Sequence, residues 1–161
     1  MRRIVAVVLA SVAVLALATG CSQEKAGWNV NLGTSVAVSQ QGTSEPVVMF
    51  AKGGKPPTTL VVKDAVLGKG AEVKPGSSIF INYMGVVTSS GQTIYSSWRV
   101  GHGTSITLAK TPQAWQQGLV GLKVGGTRVL LAPPSLLGAK PGSNEARAGD
   151  VLYVISLVSV S

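Results

Sequence analysis

Few side chains in this sequence are equipped for covalent or proton-transfer chemistry. There is one histidine, His102, inside Gly101-His102-Gly103, and one cysteine, Cys21. No metal-ligand cluster, no nucleophile–base pair and no phosphate-binding glycine motif followed by lysine can be read along the chain. His102 reads as a solvated loop residue. What is left is apolar and aromatic. Thr111-Pro112-Gln113-Ala114-Trp115-Gln116-Gln117-Gly118 predicts one short helix. Thr111 can cap it through its hydroxyl, Pro112 suits the first helical position, and Gly118 would end it about two turns later. A helix of that length is not stable alone in water. It has to be held by burial, and Trp115 is its only large apolar side chain.

The elements around that helix read as strands. Thr59 to Val66 alternates, Ser78 to Val87 is a long apolar run, and Ser89-Ser90-Gly91 turns the chain into Thr93 to Ser97. Ser105 to Leu108 is short and strand-like, Gly125-Gly126 turns into Thr127 to Ala132, and Val151 to Val160 closes the chain. A Pro- and Gly-rich loop spans Pro133 to Gly149. The expected fold class is α+β, an antiparallel sheet of five or six strands wrapped around one short helix. With only eight aromatic residues, Val, Leu, Ile and Ala must build most of the core.

The N-terminus reads as an address. Met1-Arg2-Arg3 is a basic start, Ile4 to Ala18 is continuously apolar, and Leu17-Ala18-Thr19-Gly20-Cys21 places small residues before the lone cysteine. Fifteen or so apolar residues are short for a membrane span. The stretch resembles a bacterial lipoprotein signal, which implies a signal peptide over 1–20, a lipidated Cys21 and an extracytoplasmic, membrane-anchored protein. Residues 21–57, rich in Gly, Ser, Thr, Gln and Val and ending Gly53-Gly54-Lys55-Pro56-Pro57, read as a flexible tether with a root-mean-square span of about 30 Å. Within it, Trp28 to Leu32 and Pro46 to Phe50 are short apolar patches, the second able to add an edge strand. The folded domain is expected over 58–161. The net charge of +8 includes Arg2 and Arg3, and the other basic residues are scattered singly. That argues against a nucleic-acid partner and is compatible with weak attraction to an anionic membrane.

From Leu60 to Val160 the chain resembles an FKBP-type peptidyl-prolyl cis-trans isomerase domain. Asn82-Tyr83-Met84-Gly85, Gly91 through Ser96-Ser97, Trp115-Gln116-Gln117-Gly118-Leu119, Lys123 to Gly126, Pro133 with Leu137-Gly138, and Val151 to Ile155 follow that family's motifs in order. Trp98 after the serine pair, together with the leader, resembles the actinobacterial lipoprotein members. The resemblance implies isomerisation of X–Pro bonds in exported proteins, possession of no cofactor or metal, and macrolides as further ligands. It implies Trp115 as the floor under a proline ring, Tyr83, Ile94 and Tyr153 as walls, and Leu137 at the rim.

The chain also departs from the family pattern. Ile94 replaces an aromatic residue, Tyr95 stands where an aspartate ties the wall together, and Leu137 replaces a hydrogen-bonding tyrosine. Pro112 falls near a position whose backbone N–H meets the substrate, and proline has none. Ser143 to Arg147 stands where apolar residues are usual. A second reading is therefore a binding module of the same fold, holding proline-containing or unfolded segments with little catalysis.

Overall fold

The computed structural model describes residues 27–32, 36–51, 58–138 and 149–161. The leader, Cys21 and Ser143 to Arg147 lie outside them. Among the described residues nine strands form two antiparallel sheets. The main sheet uses β4 (Val61–Val66), β5 (Ser78–Val87), β6 (Thr93–Ser96), β7 (Thr104–Thr107), β8 (Thr127–Ala132) and β9 (Val151–Val160), in the order β4-β8-β9-β5-β6. The ten-residue β5 is long enough to serve two partners on one edge. Its first half pairs with β7, from Ser78 opposite Thr107 to Ile81 opposite Thr104, and its second half pairs with β6. Its other edge pairs with β9 over nearly the whole strand, Gly85 opposite Tyr153 and Tyr83 opposite Ile155. A one-turn helix, α1 (Ser97–Val100), follows β6, and a helix of two turns, α2 (Gln113–Leu119), lies over one face. The FKBP-like arrangement expected from the sequence, a sheet over one short helix, is the arrangement present.

That face and the helix share one core. Ile79, Ile81, Leu130, Ala132, Ile155 and Leu157 from the strands enclose Ala114, Trp115 and Leu119 from α2. Gly118 is part of this packing. A Cβ there would lie 2.7 Å from Leu130 Cδ2, so only glycine lets the helix come this close to β8. Gly118 therefore does not end the helix, as its position had suggested. The chain leaves helical geometry at Val120 and turns at Gly121, where φ is 84°. The start also differs. Pro112 is the cap, its carbonyl receiving the N–H of Trp115 and Gln116, while the Thr111 hydroxyl donates to Leu108 O at 2.7 Å. Thr111 is drawn away because a 3-10 turn, Leu108–Lys110, precedes it and offers that carbonyl.

The other face of the main sheet is equally apolar. Met84, Val86, Val129, Leu131, Leu152 and Val154 project there, and a second sheet covers them. Its strands are β1 (Trp28–Asn31), β2 (Val36–Gln40) and β3 (Val47–Phe50), in that order. Leu32, Val36 and Val38 are buried in this second core, with Trp28, Val30, Val48 and Phe50 packed around them. This corrects the expectation of a flexible tether over 21–57, because 28–32 and 36–50 are folded onto the domain. The apolar patch at Pro46 to Phe50 supplies an edge strand of the second sheet and not of the main one. The physical reason is exposure. Without this cover, six large aliphatic side chains on the back of the sheet would face water, each costing about 1.5–3 kcal/mol. Polar groups on the inside are matched too. Trp28 Nε1 donates to Gln40 Oε1 at 2.9 Å, and Gln40 Nε2 donates to Ser44 O at 2.6 Å. Among the described residues no helix is long and apolar enough to cross a membrane.

Val38 tests this layer, since it is fully buried in a region whose composition suggested a spacer. Val38→Ala is expected to lower the free energy of urea unfolding by about 2 kcal/mol, from two lost methyl groups and the space they leave. A spacer residue would give no change.

Candidate functional site

The four aromatic residues singled out in the sequence meet on the helix side of the main sheet. Trp115 lies in the first turn of α2 and is only 6% exposed. Tyr83 stands on β5 with its ring centroid 5.1 Å from Trp115 at an interplanar angle of 83°. Tyr153 stands on β9 at 5.2 Å and 80°. The indole therefore meets a tyrosine ring nearly at right angles from each of two neighbouring strands, a favoured arrangement for aromatic quadrupoles. Tyr95 extends the wall. It stacks on Tyr83 at 4.5 Å and 19°, and its hydroxyl lies 3.4 Å from Thr104 Oγ1. The residue standing in place of an aspartate thus ties the wall together by ring stacking.

Backbone geometry allows the rings to gather. A Cβ on Gly85 would lie 3.0 Å from Tyr153 Cε1 and 3.1 Å from Ile94 Cγ1, so the missing side chain makes room for both. Ile94 sits where the β5–β6 register shifts and is 53% exposed. Leu137 is half-buried beside the helix-side core and ends a 3-10 turn, Pro134–Leu136, through its N–H to Pro134 O. It stands at the edge of the group. His102 is exposed, with Nδ1 3.1 Å from its neighbour's carbonyl, Gly103 O.

Several positioning roles were not evident in the sequence. Ser97 Oγ accepts the backbone N–H of Tyr83 at 2.9 Å, and both Ser96 and Ser97 are buried. Ser96 caps a one-turn helix, α1 (Ser97–Val100), which occupies the end of the expected strand Thr93 to Ser97. Gln116 Nε2 donates to Thr111 O at 2.8 Å and pins the start of α2. The other end of α2 is held by Arg128. Its Nη1 donates to Gly118 O at 2.9 Å and Val120 O at 3.1 Å, while Nε and Nη2 grip Asp64 at 2.6 and 3.1 Å. A cation at the carbonyl end of a helix also favours its dipole. Asp64 and Arg128 come from strands paired in space but distant in sequence, so no local pattern announces them.

The electrostatics of the group are those of neutral rings. Burial, followed by the nearby Tyr83, pushes the Tyr153 hydroxyl up to about 12. Burial, followed by Tyr95, also raises Tyr83. Both phenols keep their protons at neutral pH. Trp115 Nε1 is buried without a hydrogen-bond partner. Among the described residues there is no group of three or more His, Cys, Asp or Glu able to hold a metal. The arrangement offers an aromatic floor with two ring walls, hydroxyl donors and no general base.

The sequence model described as FKBP-type peptidyl-prolyl cis-trans isomerase matches residues 69–157, the stretch that contains all four rings. A Corynebacterium glutamicum protein named for FK506 binding is 36% identical over 107 residues, covering 66% of this chain and 91% of its own. An FK506-binding protein of Streptomyces anulatus is 32% identical over 121 residues, covering 72% and 97%. Among solved structures, FkpA of Escherichia coli superposes with a TM-score of 0.57 at 28% identity, covering 69% of this chain and 53% of that one. Strands β1 to β3 lie ahead of the stretch matched by the family model.

The tyrosine environment sets a pH dependence. An exposed tyrosine loses its proton near 10, whereas folded Tyr153 keeps it until about 12. Between those values the unfolded chain holds fewer protons than the folded one. Stability that is complete below pH 10 must therefore fall as pH rises toward 12. The gap corresponds to about 2–3 kcal/mol at the alkaline end. Tyr153→Phe should flatten that part of the curve when urea unfolding is followed from about pH 9 to 12.

Proposed function

The chain belongs to the FKBP-type peptidyl-prolyl cis-trans isomerase family, and on that premise we propose that it is a lipid-anchored isomerase acting on X–Pro bonds of exported proteins. Rotation about such a bond faces a barrier of about 18–20 kcal/mol and takes tens to hundreds of seconds unaided. Twisting breaks amide resonance, so the bond is less polar at its transition state. A water-poor aromatic cleft favours that state over the planar amide without transferring a proton.

In this reading the proline ring lies on the Trp115 indole between Tyr83 and Tyr153. The tyrosine hydroxyls are the donors available to the flanking carbonyls. Tyr95 stiffens the Tyr83 wall, with Ile94 and Leu137 at the margins. The observation that carries the reading is the perpendicular packing of both tyrosines on one buried tryptophan, since it builds a floor and two walls from residues on three elements. Macrolides of the FK506 type would compete for the same surface. The basic leader, apolar run and Thr19-Gly20-Cys21 support attachment by a lipid at Cys21 and an extracytoplasmic location.

Pro112, lacking an N–H at the helix cap, and Tyr95, lacking a carboxylate, support the alternative of binding with weak catalysis. Turnover separates the two. The folded chain should accelerate cis-to-trans conversion across a panel of X–Pro peptides, and Trp115→Ala should lower kcat/KM at least about tenfold, or about 1.4 kcal/mol. Binding without acceleration by a folded chain would select the alternative. For the anchor, Cys21→Ser should move the protein from the membrane to the soluble fraction of a host that processes lipoproteins.

A further inference from the structure

The second sheet changes what the N-terminal segment can do. With 28–32 and 36–50 folded onto the domain, only Ser22 to Gly27 separates Cys21 from β1. Seven Cα–Cα steps, fully extended, reach at most about 24 Å. The start of β1 also lies at a defined place, because Trp28 pairs with Gln40, and Ser39 beside it pairs with Val47. The lipid-bearing chain therefore joins the sheet at the end where Val47 stands, about 10 Å across the strands.

The outward face of this sheet has its own character. Trp28, Val30, Val36, Val38, Val48 and Phe50 point inward to the second core, so strand alternation turns their neighbours out. Those neighbours form two rows across the strands, Asn29-Ser39-Val47 and Asn31-Ala37-Met49. None is charged, in a chain with fourteen Lys and Arg. Val47 and Met49 are 57% and 55% exposed. An uncharged surface tipped with two apolar side chains suits the interfacial layer of a bilayer. The aromatic group of Trp115, Tyr83 and Tyr153 lies on the opposite face of the main sheet, on the far side of two cores.

We infer that the β1–β3 sheet is the membrane-facing base of the protein, resting its Val47–Met49 face on the lipid surface and holding the Trp115 cleft away from it. This rests on lipid attachment at Cys21. The occupant is the bilayer, since the short connection leaves the sheet within reach of it at all times. The anchored domain is then oriented, and approaching polypeptide meets the cleft from the aqueous side.

The test couples the Cys21 thiol of the chain to a maleimide phospholipid in vesicles containing about one-third anionic lipid, in line with membrane electrostatics. Hydrogen exchange is compared with the same chain capped at Cys21 in solution. Exchange in 47–50 should slow severalfold on coupling, with residues 113–119 and 151–155 unchanged. A Val47→Asp/Met49→Asp double variant, altered only at exposed positions, should keep its melting temperature and lose the slowing. Equal exchange in both forms, or slowing at 113–119 instead, would overturn the orientation. Mass spectrometry of the native N-terminal peptide separately reports lipidation. A chain unmodified in cells yet protected in 47–50 when coupled would refute the anchor and leave the sheet's preference for the bilayer standing.

Discussion

Both faces of the main sheet are buried, and the rest of the structure follows from that constraint. Along β5, β8 and β9 successive side chains enter two different cores, so neither face can be left to water. The helix face takes α2, which is too short to persist without the sheet and carries the one indole that fills the gap. The back face takes the three N-terminal strands. Clamped between the two layers, β5 and β9 have little freedom to splay. That rigidity fixes the distance between Tyr83 and Tyr153, and with it how the two rings meet Trp115.

The site is built from packing and hydrogen bonds, with charge kept at its margins. Arg128 and Asp64 hold the end of α2, and Arg99 reaches Glu45 across the two sheets at 2.8 Å. Burial opposes ionisation of the Glu45 carboxyl, but hydrogen bonds from Ser96 and Arg99, with the guanidinium charge, outweigh it and hold the group below its ordinary value. The Arg99 side chain is well exposed, so this pair contributes at most about 1 kcal/mol. Its geometric effect is larger than its energy, because it ties the turn before β3 to α1, next to the serine that grips the Tyr83 backbone. Substrate chemistry that needs only twisting of an amide is consistent with such a centre.

Much of this could be read from the residues. Long apolar runs located β5, β8 and β9 with correct limits, and Pro112 with Trp115 announced the helix. The capping details failed because local rivals intervened: Leu108 O captured Thr111, and Gly118 was needed for helix-to-sheet contact. The second sheet escaped because its strands are only four or five residues long and their Gly, Ser, Thr and Gln neighbours resemble a linker. A signal was present nonetheless. Val129-Leu130-Leu131-Ala132 and Val151-Leu152-Tyr153-Val154-Ile155 are apolar at consecutive positions, as strands covered on both faces must be. Trp28-Asn29-Val30-Asn31 alternates as a half-buried strand does. The stacking of Tyr95 on Tyr83 was out of reach, since only the fold brings those rings together.

The most direct test of an isomerase site without proton transfer is the pH profile of kcat/KM on an X–Pro peptide, read by a protease-free exchange method. The profile should be flat from about pH 5.5 to 8.5, because Tyr83 and Tyr153, both raised by burial, stay protonated throughout. A bell-shaped or sigmoidal profile inside that range, unmoved by removal of His102, would contradict it. An ionising group would then have to take part in the reaction.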